Sequence, residues 1–217
     1  QLFNIEMSFE EKVPTSSVSL VDSPEKRRLV LEDLGYELFD YDLWDYWIFF
    51  EESSAERIFR DFLIPWFAPK LQHRVRTFSA RSVNQVSLKF EDFNRLFVFL
   101  HLQETYRNRV WVVVDGGEME SQIIEELADK YEPSGWDREH FRQFQNHDFE
   151  EYYPEQFSAE VAIAISEPDK KKKAELKKNL LENVIEFCTN DAKLAKQEFK
   201  ASAAELIEFL NMVKKKE

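Results

Sequence analysis

Trp47-Ile-Phe-Phe-Glu-Glu52-Ser-Ser-Ala-Glu56 and, some sixty residues later, Val110-Trp-Val-Val-Val-Asp115-Gly-Gly-Glu118 share one design. In each, a run of bulky apolar residues stops at carboxylates and passes into a helical pattern. Apolar runs of this length without polar alternation predict strands buried on both faces, as in parallel sheets. Open α/β sheets carry their ligand sites at the C-terminal ends of such strands. Glu and Asp gathered there predict a cradle for a hard divalent cation, Mg2+ or Mn2+.

The rest of the chain extends the same alternation. A strand over Val75–Ala80, flanked and interrupted by Arg74 and Arg76, is expected between a helix over Ala55–Phe67 and a long helix over Gln85–Gln103. A third helix over Met119–Tyr131 follows the second acidic strand end. Strand and helix alternating at this spacing predict an α/β fold with a parallel sheet, right-handed crossovers and helices on its faces. Residues 167–217 carry helical spacing in two runs, Lys170–Cys188 and Ala192–Val213, with a capping Thr189-Asn190-Asp191 between them, and predict a C-terminal helical hairpin. Residues 1–40 combine a short strand, Val18-Ser-Leu-Val21, with a helix opened by Ser23-Pro24 and stopped at Gly35. They read as the tail of an upstream region, and the Gln at position 1 supports the expectation that more chain precedes it. The expected units are 1–40, 41–166 and 167–217.

Composition narrows the function classes. With 43% hydrophobic residues, 20 Phe and 5 Trp in 217 positions, the chain can build an aromatic core. Four glycines leave no phosphate-cradling glycine loop. The single Cys188 excludes an internal disulfide framework and a cysteine-based zinc site, and its apolar neighbours predict a buried structural thiol. A reducing, cytoplasmic setting and no membrane association are expected. Net charge is −13, distributed unevenly. Residues 167–217 hold 12 Lys and Arg against 10 Asp and Glu, which leaves 17 against 32, a net of −15, in the first 166. Such a surface repels phosphate backbones at long range and argues against unaided nucleic-acid binding unless metal ions or a basic partner invert the field.

Within the acidic strand ends, Glu52 and Glu56 are four residues apart and are expected to share one side of a helix's first turn; Asp115 and Glu118 bracket the next turn. Carboxylates so gathered repel each other unless a cation neutralises them. Two Mg2+ or Mn2+ ions in such a site would support phosphodiester hydrolysis. Taken singly, Glu56 and Glu118 also fit the ordinary preference of acids for helix N-termini.

The set of motifs resembles a known family. Glu52-Ser-Ser-Ala-Glu56 after Ile-Phe-Phe resembles the glutamate motif of Toprim domains, and Val-Val-Val-Asp115-Gly-Gly117 their Asp-x-Asp motif. Asp148-Phe-Glu150-Glu-Tyr-Tyr-Pro154 is similar to the later acidic motif of Toprim nucleases of the overcoming-lysogenisation-defect (OLD) family, and Leu29-Val-Leu-Glu-Asp-Leu-Gly35 resembles their junction with an ATPase domain. The resemblance implies a Toprim-like sheet and a metal-dependent DNA endonuclease coupled to an ATPase domain or subunit, often in anti-phage defence and in places as a homo-oligomer. It implies Glu52, Asp115 and Glu150 as catalytic residues, and Glu52, Glu56, Asp115, Glu118 and Glu150 as metal ligands. A downstream lysine is also implied, with Lys170–Lys173 as the nearest candidates. Two positions depart from the pattern: Ser53 stands for glycine, and Gly117 for the second Asp. Glu118 is the expected substitute for that missing carboxylate. Failing that, a catalytically degenerate Toprim-like module acting as a scaffold is the alternative.

Other chemistry finds less support. His73, His101, His140 and His147 lack metal-helix spacing and are expected at the surface or boundary; no Gly-x-Ser-x-Gly elbow is present. Tyr152 and Tyr153 have base stacking and core packing as alternatives.

Overall fold

In the computed structural model, residues 3–10, 13–23, 26, 29, 30, 44–100 and 103–215 are described. Four strands, β3 (Tyr46–Phe50), β4 (Val75–Ser79), β5 (Val110–Val114) and β6 (Phe141–Gln143), form one sheet in the order β4-β3-β5-β6. Every pairing is parallel. The two apolar runs are the two central strands, and all five residues of each are buried. Side chains alternate across the pleat, so each run feeds two cores at once. Ile48, Phe50, Trp111 and Val113 enter one, while Trp47, Phe49, Val112 and Val114 enter the other.

The second face is covered by α3 (Val83–Leu100) and α5 (Glu118–Tyr131), with the short α4 (Gln103–Tyr106) at its margin. There Trp47 meets Phe97 and Tyr106 edge to face at 5.8 and 4.6 Å. The first face is covered by a helical run that begins as α1 (Ser53–Ile58), widens to a π-helical turn over Phe59–Leu63 and ends as α2 (Ile64–Phe67). Pro65 explains the widening: it has no amide hydrogen for the Asp61 carbonyl, and its ring crowds that group. Phe59, inside the widened turn, packs against Phe50 at 4.5 Å and within 6.2 Å of Phe144, Phe149 and Phe209. Aromatic pairs of this kind add about 0.5–1.5 kcal/mol each beyond their burial.

The C-terminal helices join that same first-face core. They are α6 (Ser158–Ser166), α7 (Lys170–Asn190), α8 (Ala192–Ser202) and α9 (Ala204–Lys215). Leu180, Val184, Cys188, Phe199, Phe209 and Leu210 lie in one cluster with Phe50 and Phe59. Cys188 is thus the buried thiol expected from its neighbours. Asp169 and Asp191 cap α7 and α8 by accepting the amides of Lys172 and Leu194. The second expected helix is broken at Ala203, which is fully buried, and Ser202 Oγ beside it donates to the Tyr152 carbonyl at 2.9 Å. The break swings Glu205 onto the loop before α6, where it accepts from the Tyr152 hydroxyl and from the Gln145 amide at 3.1 Å.

Sequence patterning missed β6, which has only three residues, and α6. At the N-terminus β1 (Phe3–Glu10) and β2 (Val13–Leu20) form an antiparallel hairpin, longer than the single strand expected there. Lys26, Leu29 and Val30 are helical; the expected stop at Gly35 and His101 lie outside the described residues.

Candidate functional site

The C-terminal ends of β3 and β5 are neighbours in the sheet, so the chain directions alone bring Glu51 and Glu52 beside Asp115. Glu51 Oε2 accepts the Asp115 amide at 3.4 Å. Asp115 Oδ2 in turn accepts the Phe149 amide at 3.3 Å, which draws the Asp148–Glu150 turn over the strand ends. That turn is held by a reciprocal box between Asp148 and Glu151. Gly116 fits beneath it because a Cβ there would strike the Gln145 and Asn146 carbonyls, and its own amide donates to Asn146 at 2.6 Å.

At the centre stands Lys177. Its ammonium lies 2.8 Å from Asp148 Oδ1, 2.8 Å from Glu150 Oε2 and 3.3 Å from Glu52 Oε1. Ser54 Oγ holds the other Glu52 oxygen at 3.1 Å. Glu150 is 0% exposed, and its Oε1 has no hydrogen-bond partner among the described residues. The buried Tyr153 hydroxyl is likewise without a hydrogen bond, and burial together with Glu150, Glu52 and Asp115 raises its pKa well above the ordinary phenol value. Glu52, Glu150, Arg81 and Lys177 line a cleft of about 350 Å3.

Too little positive charge reaches these acids for all to ionise easily. Burial, then the charges of Glu52, Glu51 and Glu150, push Asp115 up to about 8. Burial and Glu120 push Glu51 to about 7. Burial raises Glu150 as well, with Lys177 opposing. For Asp148 burial acts upward, but the Lys177 ammonium prevails and its pKa is lowered. Lys177, despite its own burial, is held protonated by Glu150 and Glu52.

These directions set a pH dependence. Between about 4 and about 8 the folded chain retains a proton on Asp115 that an unfolded chain has released, so the native state binds more protons and stability falls as pH rises. In EDTA, the melting temperature should drop between pH 5.5 and 8.5. Asp115→Asn should flatten that slope, and an unchanged slope would show that Asp115 does not carry it.

The structure places the sequence-derived residues differently from one another. Glu52, Asp115 and Glu150, from three separate stretches, share the site. Glu56 does not: its Oε1 accepts from Arg60 at 3.0 Å and Thr77 at 3.1 Å, and it lines a different depression. The reason is that Glu52 is the extended N-cap, with φ −103° and ψ 152°, so the i,i+4 geometry of a helix does not apply to the pair. Glu118 is exposed and lines an open hollow with Gly117, Ser121 and His147. The carboxylate beside Gly117 belongs to Glu120, whose side chain fills the space a Cβ at Gly117 would enter. Lys170–Lys172 are exposed, and Lys173 donates to the Ile165 carbonyl at 3.0 Å and lies 3.6 Å from Asp148. Tyr152 and Tyr153 are buried core residues, and His140 is fully buried with Nδ1 2.7 Å from the Val110 carbonyl.

Lys177 had a signal in the sequence: with Leu180, Leu181, Val184 and Cys188 it occupies the apolar stripe of α7, where a lysine needs a buried counter-charge. Glu51 and Glu120 carried none beyond proximity.

The donor set is all oxygen, which suits Mg2+ or Mn2+ rather than softer ions. Mutually raised carboxyls and the unpartnered Glu150 oxygen fit a cation there. The Lys177 ammonium sits among the oxygens of Glu52, Asp148 and Glu150 and supplies a positive charge there. Among the described residues, the group of three ligand types whose donor atoms lie within 4.8 Å of one another is elsewhere, Asp137, Glu139 and His140, with the two acids exposed. Comparison with protein-family models, with curated proteins and with solved structures finds no match. No helix among the described residues is long and apolar enough to cross a membrane.

Proposed function

We propose that this chain is a Toprim-like domain of the OLD type that hydrolyses DNA phosphodiesters with Mg2+ or Mn2+, working with an ATPase domain or subunit. The observation that carries this reading is the convergence of Glu52 and Asp115, at the ends of neighbouring parallel strands, with Glu150 from the turn laid over them, around the half-buried Lys177. A four-stranded parallel sheet with helices on both faces is compatible with it.

Glu52, Asp115 and Glu150 would hold the metal, with Glu51, Asp148 and Glu120 within the same acidic shell. Divalent ions bound there supply charge neutralisation for the scissile phosphate and activation of water. The chain's own groups prepare the site. Ser54 and the Phe149 amide orient Glu52 and Asp115; Phe149 and Tyr153 close the floor to water; Lys177 offers a positive charge that can turn from the carboxylates to a phosphate oxygen.

A second reading has an observation of its own. With Gly117 in place of a carboxylate and Lys177 occupying the cation's position, the domain would be a degenerate module that binds partners without cutting. Incubating purified chain with supercoiled plasmid separates the two. Nicking in Mg2+ or Mn2+ that stops in EDTA supports the nuclease; no nicking, with no heat of divalent binding by calorimetry, leaves the scaffold.

A further inference from the structure

The edge of the sheet is charged oppositely to the rest of the chain. Residues 56–81 carry six Lys and Arg against two acids, in a chain of net charge −13. Arg60 is taken by Glu56 and Asp61, and Arg74 by Asp45. No carboxylate pairs with Lys70, Arg76 or Arg81 among the described residues, and all three are exposed. The Arg76 guanidinium is laid over the Trp44 and Phe78 rings at 5.6 and 5.7 Å, which fixes it without neutralising it.

These groups follow β4, which pairs only with β3 among the described residues. At its start, Arg76, His73 and Arg60 line a depression of about 380 Å3. Just past its end, Arg81 lines the carboxylate cleft with Glu52, Glu150 and Lys177. From Arg76 to its end at Ser79 the strand covers about 10 Å at about 3.3 Å per residue, and the bend after it carries Arg81. That strand length is the rise of about three nucleotides of one strand at about 3.4 Å each.

Basic residues on an edge strand also guard against edge-to-edge pairing, but the backbone argues for more. His73 and Arg81, one on each side of β4, hold φ of 63° and 71°; histidine enters this left-handed region more readily than most residues, so the strain falls on Arg81. Edge protection needs neither residue there. Strained positions held by functional side chains are characteristic of binding sites.

We propose that β4 with its flanking residues, from His73 through Arg76 to Arg81, is a phosphate-contacting track that leads a DNA strand to the carboxylate cleft. This rests on the nuclease reading for the identity of its ligand. Recruitment would be local and salt-sensitive, which reconciles DNA binding with an acidic chain.

Fluorescence anisotropy of a labelled duplex of about 20 base pairs, in Ca2+ at several salt concentrations, tests it on the full chain. Arg76→Gln with Arg81→Gly should weaken binding about tenfold at about 50 mM salt and reduce the slope of log K against log salt by about two. Arg81→Gly alone should melt at or above the wild-type temperature, since glycine relieves the left-handed strain; a fall in melting temperature would mark Arg81 as structural and overturn its place in the track. Wild type without salt-dependent binding, or a double variant that binds as wild type, also overturns the proposal. Cleavage is scored separately: track-dependent binding without divalent-dependent nicking leaves the track standing and removes the nuclease reading, whereas nicking by an unaffected double variant does the reverse.

Discussion

Lys177→Met is expected to destabilise the chain in EDTA at pH 8 by about 3–5 kcal/mol, because it leaves the buried Glu150 and the half-buried Glu52 and Asp148 together without their cation. Methionine preserves the side chain's length and apolar stem, so the loss isolates the charge. Denaturant unfolding at pH 8 and pH 5.5 checks it: the deficit should shrink at the lower pH, where Asp115 and Glu51, pushed up to about 8 and about 7, carry protons and add no charge to the site. The same variant divides binding from chemistry. Without a competing ammonium, divalent affinity should hold or rise, while nicking falls about 10²–10³-fold if the lysine also serves the phosphate. Equal nicking by variant and wild type would confine Lys177 to a structural role.

Asp115→Asn should move stability and activity in opposite directions. Asparagine keeps an oxygen for the Phe149 amide but removes the carboxylate most crowded by its neighbours, which is only 7% exposed. At pH 8 in EDTA the variant should gain about 1–3 kcal/mol. Its divalent affinity should drop, and nicking should fall at least about 10³-fold. Greater stability with undiminished nicking would remove Asp115 from the reaction.

The fold was legible wherever burial is two-sided. Ile48 and Phe49, or Trp111 and Val112, which face opposite cores, leave no polar face, and a central parallel strand tolerates that. β6 escaped because Phe141-Arg-Gln143 is too short to show a period, and the α8–α9 break because Ala203 is unremarkable until its burial is known. The site was legible where the chain ends a strand, at Glu52 and Asp115, since topology rather than local detail brings those ends together. It was opaque where one side chain's path decides the matter. Glu120, not Glu118, leans over Gly117, and no spacing rule distinguishes them. Net charge misled by averaging: −13 for the chain conceals an edge strand of the opposite sign.

The link between Lys177 and Glu52 spans 125 residues and has a consequence for synthesis. As the chain emerges from the ribosome, strands, acidic ends and the Asp148–Glu150 turn all appear before α7 does. Until that helix docks, the nascent carboxylates lack the ammonium that balances them in the folded chain, so the centre becomes electrically balanced only after all of its acids have been made. A chain interrupted near residue 166 would carry every acid of the site and none of its charge balance.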